Sequence, residues 1–300
     1  MEGPSIHRAA EQLRPFVGRK VGTVTGNSRI GIERFRGKTV RDIFAWGKHL
    51  VFQFDTFALR VHFMLWGTFA ATVRGMSVTG DYRRSGPPRL VLTFSNGEIT
   101  IWSASLKFVE DAAARRDYDF TADIISDTWD PKAAFRKVRA FPREEIADVL
   151  LDQAIFAGVG NIIKNEVLFR TRTSPFARVG KISDRKLRAI IADARVFSMR
   201  FLELRRIFAL RKNLEIYRRS ACPNCHGKVY RRVHGERGRR SFFCASCQKV
   251  PKGRLVTPAG AVSRGGARAR RVSGASRSSG ASTASDRRAA SPRSGRKGSS

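Results

Sequence analysis

The chain has 300 residues, enough for about two domains with a proper core. Its 58 Lys and Arg against 25 Asp and Glu give a net charge of +33, far more than solubility requires. Such an excess indicates a polyanionic partner, with nucleic acid as the default and an anionic membrane surface as the competitor. Charged residues interrupt the apolar runs, so no stretch is long enough to span a membrane, and we expect no membrane association.

The first 125 residues read mainly as β-strands behind one helix. Pro4 stands near the start of that helix, whose apolar face holds Ile6, Ala9, Ala10 and Leu13. Apolar side chains then recur at every second position, which is typical of half-buried strands. They are Phe52, Phe54, Leu59, Val61, Phe63, Leu90, Leu92, Phe94, Ile99 and Ile101. Between the last two strands, Asn96-Gly97 predicts a type I′ hairpin turn.

From about residue 131 the apolar period becomes helical. Ile146, Val149 and Leu150 form one stripe, and the segment from Phe156 to Asn161 interrupts it. The glycines of that segment allow a tight turn, and a helix beginning at Asn161 would direct free amides at an anion such as a DNA phosphate. Taken alone, most such turns merely join two helices. A third helix is predicted to open at Ser183 and carry Leu187, Ile190 and Ile191.

All four cysteines lie in two pairs, Cys222-x2-Cys225 and Cys244-x2-Cys247, with 18 residues between the pairs. This spacing is typical of a closed tetrahedral site for one structural zinc ion. The alternative is two disulfides in a secreted protein, which we disfavour because the N-terminal residues lack the apolar run of a signal peptide. His226 is expected to face solvent. A reducing, cytoplasmic location is expected, nucleoid-associated if the protein is bacterial.

These patterns predict an α+β fold in four parts. A β domain would span residues 1–125, a helical domain 126–213 and a zinc hairpin 214–250. Residues 251–300 are rich in Ser, Gly, Ala and Arg, a composition that buries too little apolar surface to fold. This tail is predicted to be disordered, and it either adds nonspecific DNA affinity or only solubilises the chain.

Three segments together resemble one enzyme family. The run from Leu151 to Phe169, the run from Arg239 to Gln248 and the start Glu2-Gly3-Pro4 are similar to motifs of the formamidopyrimidine/endonuclease VIII family of DNA glycosylases. The resemblance extends over roughly residues 1 to 250, in the order of the family. It implies an N-terminal β-sandwich with flanking helices, a helical domain with a helix–two-turn–helix motif, and a zinc-ribbon hairpin.

The resemblance also implies a catalytic N-terminus, with one departure. Family members use the α-amine of an N-terminal proline as nucleophile, whereas this chain begins Met1-Glu2. In register, the α-nitrogen of Met1 takes the place of the proline nitrogen. An α-amine is about one quarter neutral at pH 7.4, far more than a lysine, and can form a Schiff base. Glu2 would be the general acid/base, and Lys48 would contact a phosphate near the lesion, although a surface lysine on a hairpin is common.

The same resemblance implies the DNA contacts. Asn161 and Arg239 would hold phosphates on either side of the lesion, so that the base can be flipped out. Leu65, with Met64 and Trp66 beside it, would fill the gap left in the base stack. These three side chains could equally belong to the core of a strand, above all Met64. Glu166 would be a structural carboxylate.

We therefore expect a monomeric repair enzyme that acts on damaged DNA, duplex DNA in the first place. It would remove oxidised bases and then nick the strand as a lyase. Residues 195–215 correspond to the region that covers a flipped purine in some members of the family, and here they read as helix rich in Arg and Leu without an obvious glycine-rich loop, so the resemblance favours oxidised pyrimidines. Two alternatives stay open: a damaged- or bent-DNA-binding protein without catalysis, supported by the missing proline, and an RNA-binding zinc-ribbon protein, which explains only the charge and the cysteines.

Overall fold

The computed structural model describes residues 1–80, 82, 86–110 and 114–250. The predicted disordered tail, residues 251–300, lies outside the described residues. Within the described ranges, no helix combines the length and the apolar character needed to cross a membrane. The fold is the α+β arrangement expected from the sequence, whereas the boundaries of its predicted domains stay a prediction.

The N-terminal helix α1 (Gly3–Leu13) begins directly after Glu2, with Pro4 in its first turn. Proline suits this position because its missing N–H would have had no partner there. The predicted apolar face is confirmed, since Ile6, Ala9 and Leu13 are completely buried. This face packs α1 onto the sheet that follows and fixes the path of the chain terminus.

Among the described residues, seven antiparallel strands form one connected sheet. They are β1 (Val21–Thr25), β2 (Asp42–Trp46), β3 (His49–Gln53), β4 (Ala58–Val73), β5 (Met76–Thr79), β6 (Leu90–Phe94) and β7 (Gly97–Val109). Their order is β1-β6-β7-β4-β3-β2, and β5 pairs with β4. The alternating apolar residues point inward as predicted, and Leu90, Leu92, Ile99 and Ile101 are fully buried.

The sheet folds over itself in the manner of a sandwich. Strands β1 and β2 stand at opposite ends of the strand order, yet Val21 of β1 and Ile43 of β2 belong to one apolar cluster. Main-chain hydrogen bonds also join the two ends, because Val21 N donates to Lys38 O at 2.9 Å just ahead of β2. One core therefore serves both halves of the sheet.

The long strand β4 is interrupted in its middle. Phe63 pairs with Ala104 of β7, and pairing resumes at Thr68 with Trp102, so residues 64–67 lie opposite Ser103 alone. Extra residues in one strand of a pair bulge out of the ladder and bend it. The bulge places the segment predicted to fill the DNA stack at the surface of the sandwich.

The predicted type I′ turn at Asn96-Gly97 is wrong. Phe94 pairs with Gly97, so the two loop residues are Ser95 and Asn96, and neither has the positive φ that type I′ requires. Gly97 is instead the first residue of β7, with φ 150°. A Cβ atom there would lie 1.7 Å from Thr72 O, so the glycine is needed for the close approach of β4.

The second half of the chain is helical, as the period predicts. Its helices are α2 (Pro131–Arg139), α3 (Ile146–Val149), α4 (Asn161–Arg170) and α5 (Asp184–Arg206). Asp130 caps α2 and Ser183 caps α5, each accepting a hydrogen bond from the first turn. The stripe of Ile146, Val149 and Leu150 is buried in the helical core. Helices α3 and α4, with the turn between them, form the predicted helix–two-turn–helix motif.

The last described element is a hairpin of β8 (Val229–His234) and β9 (Arg239–Cys244). Phe242 of β9 packs with Phe169 of α4 and Ile216 in a small separate core. The hairpin is therefore docked on the helical part by apolar contacts as well as by the polar ones described below.

Candidate functional site

The carboxylate of Glu2 lies at the N-terminus of α4. Its Oε1 accepts a hydrogen bond from Ile162 N at 2.6 Å, and its Oε2 accepts one from Ile163 N at 3.2 Å. A negative charge at this end of a helix is favoured by the unpaired amides and by the helix dipole. The expectation that these amides face outward to a DNA phosphate is therefore wrong, because a residue of the chain itself occupies them.

Glycines make this approach possible. Gly3 N donates to Gly158 O at 2.9 Å, so the start of α1 runs against the turn before α4. A Cβ atom on Gly3 would lie 2.6 Å from Gly158 Cα, and one on Gly160 would lie 2.4 Å from the carboxyl carbon of Glu2. Real Cβ contacts are not that short. The two glycines of the motif therefore serve the N-terminus as much as they serve the turn.

A buried aspartate that the sequence reasoning missed fixes the neighbouring turn. Asp123 has no exposed side-chain surface, and its Oδ2 accepts a hydrogen bond from Gly47 N at 2.9 Å and contacts His7 Nε2 at 3.0 Å. Its Oδ1 accepts one from Ile125 N at 2.9 Å. The only signal in the sequence was an acidic residue within the apolar run Ala122 to Ile125.

Lys48 follows Gly47 in the turn between β2 and β3 and lies beside Glu2. Burial lowers the pKa of Lys48 below its usual range, the Glu2 carboxylate raises it, and the cations Arg239 and Arg237 lower it. The hairpin turn and the N-terminus pack against the same turn, because a Cβ atom on Gly47 would lie 3.1 Å from Gly158 N and Gly3 N donates to Gly158 O.

Met1 belongs to the same group of residues. The pKa of His62 is lowered by burial first, then by the Lys48 ammonium and by the α-ammonium of Met1, which lies close to it. The Met1 side chain packs against the sandwich core, and its Cε would lie 2.7 Å from a Cβ atom on Gly80. The methyl end of Met1 is thus held against the core of the sandwich.

The bulge of β4 exposes three large apolar side chains. Leu65 is 70% exposed, and Met64 and Trp66 are each more than half exposed. They are therefore not core residues of a strand, which was the alternative for this segment. Trp66 packs edge-on against Tyr82 with ring centroids 5.5 Å apart. Exposed apolar side chains of this size, grouped in one place, mark a contact surface.

A cavity of about 540 Å³ opens beside these side chains and the start of α4. Its wall combines aromatic and apolar side chains with arginines from the segment after α5. The lining residues include Leu65, Trp66, Tyr82, Ile162, Tyr217 and Arg218. Ile162, which lines the cavity, also donates its amide N–H to Glu2, so the cavity lies between the bulge of β4 and Glu2.

The two predicted phosphate contacts lie at the edges of this site. Asn161 is the first residue of α4; its main-chain oxygen accepts a hydrogen bond from Asn165 Nδ2 at 2.6 Å, and its Oδ1 has no hydrogen-bond partner among the described residues. Arg239 is exposed at the start of β9. Asn161 thus begins the helix whose amides bind Glu2, and Arg239 begins the strand that packs against the same helix.

Glu166 is structural, as expected. Its Oε1 accepts hydrogen bonds from Ile216 N at 3.0 Å and Tyr217 N at 2.8 Å, and its Oε2 accepts one from Glu215 N at 2.8 Å. Burial raises the pKa of this carboxyl, and the three amides lower it. Glu166 ties the segment that leads into the cysteine hairpin to α4.

The four cysteine sulfurs lie within 4.8 Å of one another. Cys225 and Cys244 are separated by 3.4 Å between sulfurs, and Cys222 and Cys247 by 3.8 Å, so none forms a disulfide. In a tetrahedral zinc site with bonds of about 2.3 Å, the sulfurs stand about 3.8 Å apart. The four thiols therefore fit a metal ion, and exposed His226 is not one of the cluster.

The fold and this site define a class of known proteins. The structure is similar to a solved viral DNA glycosylase, with a TM-score of 0.70 and 19% identity, covering 83% of this chain and all of that one. It is also similar to the Lactococcus lactis formamidopyrimidine-DNA glycosylase bound to DNA containing an AP site, with a TM-score of 0.71 and 20% identity over the same shares. These likenesses show the fold.

Sequence relatives show the same likeness. A family model described as the formamidopyrimidine-DNA glycosylase H2TH domain matches residues 121–200. Probable endonuclease 8 2 of Streptomyces coelicolor is 29% identical over 276 residues, 84% of this chain and 95% of that protein. Endonuclease 8-like 3 of Mus musculus is 29% identical over 220 residues, so the match spans 72% of this chain but about a third, 35%, of the mouse protein. Over most of its length the chain is thus similar to proteins named endonuclease 8, and residues 121–200 match the H2TH domain model of the formamidopyrimidine-DNA glycosylases.

Proposed function

We propose that the chain is a base-excision DNA glycosylase with an associated AP lyase activity, and that its nucleophile is the α-amine of Met1. The observation that carries the proposal is the grouping of Met1, Glu2 and Lys48. Glu2 is held by two amides of α4, and the charges of Lys48 and Glu2 act on each other. An amine beside a carboxylate is the pair that Schiff-base chemistry at a sugar needs.

The proposed reaction begins when the neutral α-amine attacks C1′ of the damaged nucleotide. The C1′–N bond to the base breaks, the base leaves with the bonding electrons and a proton, and the Met1 nitrogen stays bonded to C1′. Glu2 would then protonate the ring oxygen, so that the C1′–O4′ bond breaks and an iminium ion links Met1 to the opened sugar. Removal of a C2′ proton then breaks the C3′–O bond and nicks the strand. Each oxygen of Glu2 accepts one amide N–H and keeps a lone pair for this proton.

DNA would lie across the edges of the site. Asn161 and Arg239 would each hold a phosphate, and Leu65 with Met64 and Trp66 would fill the gap left by the flipped nucleotide. The cavity beside the bulge has room for a base and offers aromatic rings to stack on it. We propose oxidised pyrimidines as the substrates, because α5 continues to Arg206 and a 3₁₀ helix follows at Leu210–Asn213, which leaves no glycine-rich cover for a purine.

We further propose one structural Zn²⁺ ion on the four cysteines, damaged duplex DNA as the partner and a monomeric protein. Zinc bound by four thiolates has no open position, so it would fold the hairpin and take no part in the reaction. A hairpin folded by zinc would also hold Arg239, which is the first residue of β9. The domain limits at 125, 213 and 250 belong to the same proposal.

A second candidate is a protein that binds damaged or bent DNA without cutting it. The observation that favours it is Met1 itself, since the family uses proline at this place. This candidate predicts tight, salt-sensitive binding to DNA with an abasic site and no covalent product.

Borohydride trapping separates the two candidates. A duplex that carries one oxidised pyrimidine is incubated with the protein and sodium borohydride, which reduces an iminium to a stable adduct. We expect an adduct that peptide mass spectrometry assigns to Met1, and its yield should fall at least 100-fold in Glu2→Gln, since general acid/base catalysis contributes about 10² to 10⁴-fold.

Glu33→Gln is the matched control, because Glu33 is exposed and its carboxylate pairs with the neighbouring, exposed Arg36. It should trap like the unchanged protein. An adduct on Lys48, or none from a preparation whose intact mass shows a free Met1, contradicts the proposed reaction.

A further inference from the structure

A buried lysine in α4 holds the strand that follows Arg239. Lys164 is 1% exposed, and its Nζ donates hydrogen bonds to Ser241 Oγ at 3.0 Å and to Arg240 O at 3.3 Å. Burial lowers the pKa of Lys164 to about 8, while Asp148 and Glu2 raise it and Arg239 lowers it. Burying an amine is costly, so the position calls for a use. The proposed reaction gives it none.

Lys164 stands at one end of a series of hydrogen-bonded side chains that crosses the interface between α4 and the hairpin. Ser241 Oγ forms a hydrogen bond with His234 Nε2 at 2.7 Å, and His234 Nδ1 lies 2.5 Å from Glu145 Oε2. Glu145 precedes α3. This series of hydrogen bonds therefore joins both helices of the helix–two-turn–helix motif to both strands of the hairpin.

The next residue of α4 grips the same strand. Asn165 Nδ2 donates to Arg240 O at 3.4 Å, and Asn165 Oδ1 accepts from Phe242 N at 2.7 Å. Together, Lys164 and Asn165 bind the main chain or side chain of residues 240, 241 and 242, immediately after Arg239. The backbone direction at Arg239 is thus set from α4.

The first turn of the same helix holds Glu2. The amides of Ile162 and Ile163 bind the Glu2 carboxylate, and Lys164 and Asn165 follow directly. One rigid helix therefore fixes the proposed acid/base at its end and the proposed phosphate-binding arginine on its side. We infer that Lys164 is a positioning residue that sets Arg239 against the lesion phosphate at a fixed distance from Glu2. The inference rests on the proposed function and names what places its phosphate contact.

The simpler explanation is that Lys164 and its partners only stabilise the fold. A stabilising role and a positioning role predict different salt dependences of DNA binding. Because Lys164 is buried, it cannot touch a phosphate. Each phosphate contact contributes about 0.9 to the slope of log K against log salt. Loss of a buried lysine changes this slope only if an exposed cation loses its phosphate as a result.

The test is a double-mutant cycle in DNA binding. Lys164→Met, Arg239→Ala and the double variant are titrated with a duplex containing a tetrahydrofuran abasic analogue at several salt concentrations. We expect each single variant to lower the slope by about 0.9 and the affinity by about tenfold. The double variant should match Arg239→Ala. An unchanged slope in either single variant, or a double variant that loses about 1.8, overturns the inference.

Lys181→Met is the matched control, because Lys181 is exposed and lies outside the network; it should leave the affinity within twofold. If Lys164→Met unfolds at the assay temperature, Ser241→Ala replaces it in the cycle. Ser241→Ala removes one hydroxyl from the same chain and must give the same loss of slope. The tetrahydrofuran site cannot react, so binding can be read whether or not trapping succeeds. An absent borohydride adduct would overturn the proposed reaction. The inference about Lys164 would still be decided by the slope of log K against log salt.

Discussion

The carboxylate of Glu2 has a single geometry because Gly160 leaves space for it. Gly160 has φ −121°, an extended value that any residue can adopt, so its backbone does not require glycine. What requires it is the side chain of Glu2, whose carboxyl carbon would lie 2.4 Å from an added Cβ. A side chain introduced at position 160 would therefore displace the Glu2 carboxylate while leaving Glu2 itself unchanged.

Gly160→Ala is expected to push Glu2 off the amides of Ile162 and Ile163. The loss of a helix-capping carboxylate should lower the free energy of unfolding by about 1–2 kcal/mol. Borohydride trapping should slow by about 100-fold, because a displaced acid/base no longer serves the sugar. Gly227→Ala is the control, since its Cβ would meet only Cys225 Sγ, at an ordinary 3.4 Å. Equal trapping by both variants would contradict the role given to the Glu2–α4 contact.

At the scale of elements, the cysteine hairpin is held by its docking on the helices and, in our proposal, by a metal ion. Asp148 Oδ2 accepts a hydrogen bond from Glu236 N at 2.8 Å, and Arg237 pairs with Asp152 at 2.8 Å, so the tip of the hairpin is tied to α3 and the turn after it. The other end relies on the four thiols. A small hairpin of this kind gains its folding free energy largely from metal binding.

Removal of the metal is expected to disorder the hairpin. Elemental analysis should find one zinc per chain, and Cys244→Ala should lose it. The affinity for abasic-analogue DNA should then fall at least tenfold, because Arg239 is in the strand that ends at Cys244. His226→Ala should retain zinc and affinity, since His226 is exposed and outside the cluster. A Cys244→Ala protein that keeps its zinc would contradict the four-thiol site.

Local patterns predicted most elements and few of the contacts between them. The strand alternation, the start of α5 at Ser183 and the cysteine spacing each depend on residues close in sequence, and each is found. The contact of Glu2 with Ile162 joins residues 160 positions apart, and no local pattern encodes it. The resemblance to a family grouped Glu2, Lys48 and Arg239, but it gave no sign that Glu2 caps α4 or that Lys164 is buried.

At the scale of the whole molecule, Asp123 joins the sandwich to the helical part. It binds His7 of α1, Gly47 of the β2–β3 turn and Ile125 of the helical part at once. A buried carboxylate with three partners is sensitive to substitution, because each partner is left without an acceptor when it goes. Asp123 is thus a point where the stability of the fold and the placement of Lys48 are coupled.

Asp123→Asn is expected to lower the free energy of unfolding by about 1–3 kcal/mol, because its amide group turns an N–H towards a donor. Urea denaturation measures the change, and the trapping yield should fall with it as the Gly47–Lys48 turn loosens. Asp117→Asn is the control at an exposed aspartate and should stay within about 0.5 kcal/mol. Identical denaturation midpoints for the two variants would show that Asp123 does not hold the parts together.

The contact between the sandwich and the helical part limits how freely the two can move. At Gly3 and Gly158 the two main chains touch directly and share a 2.9 Å hydrogen bond, and neither glycine has a side chain that could repack. A joint built this way resists hinge motion, because bending it breaks main-chain hydrogen bonds. In the proposed reaction, the distortion that exposes a nucleotide would then come from the double helix and not from a hinge between the sandwich and the helices.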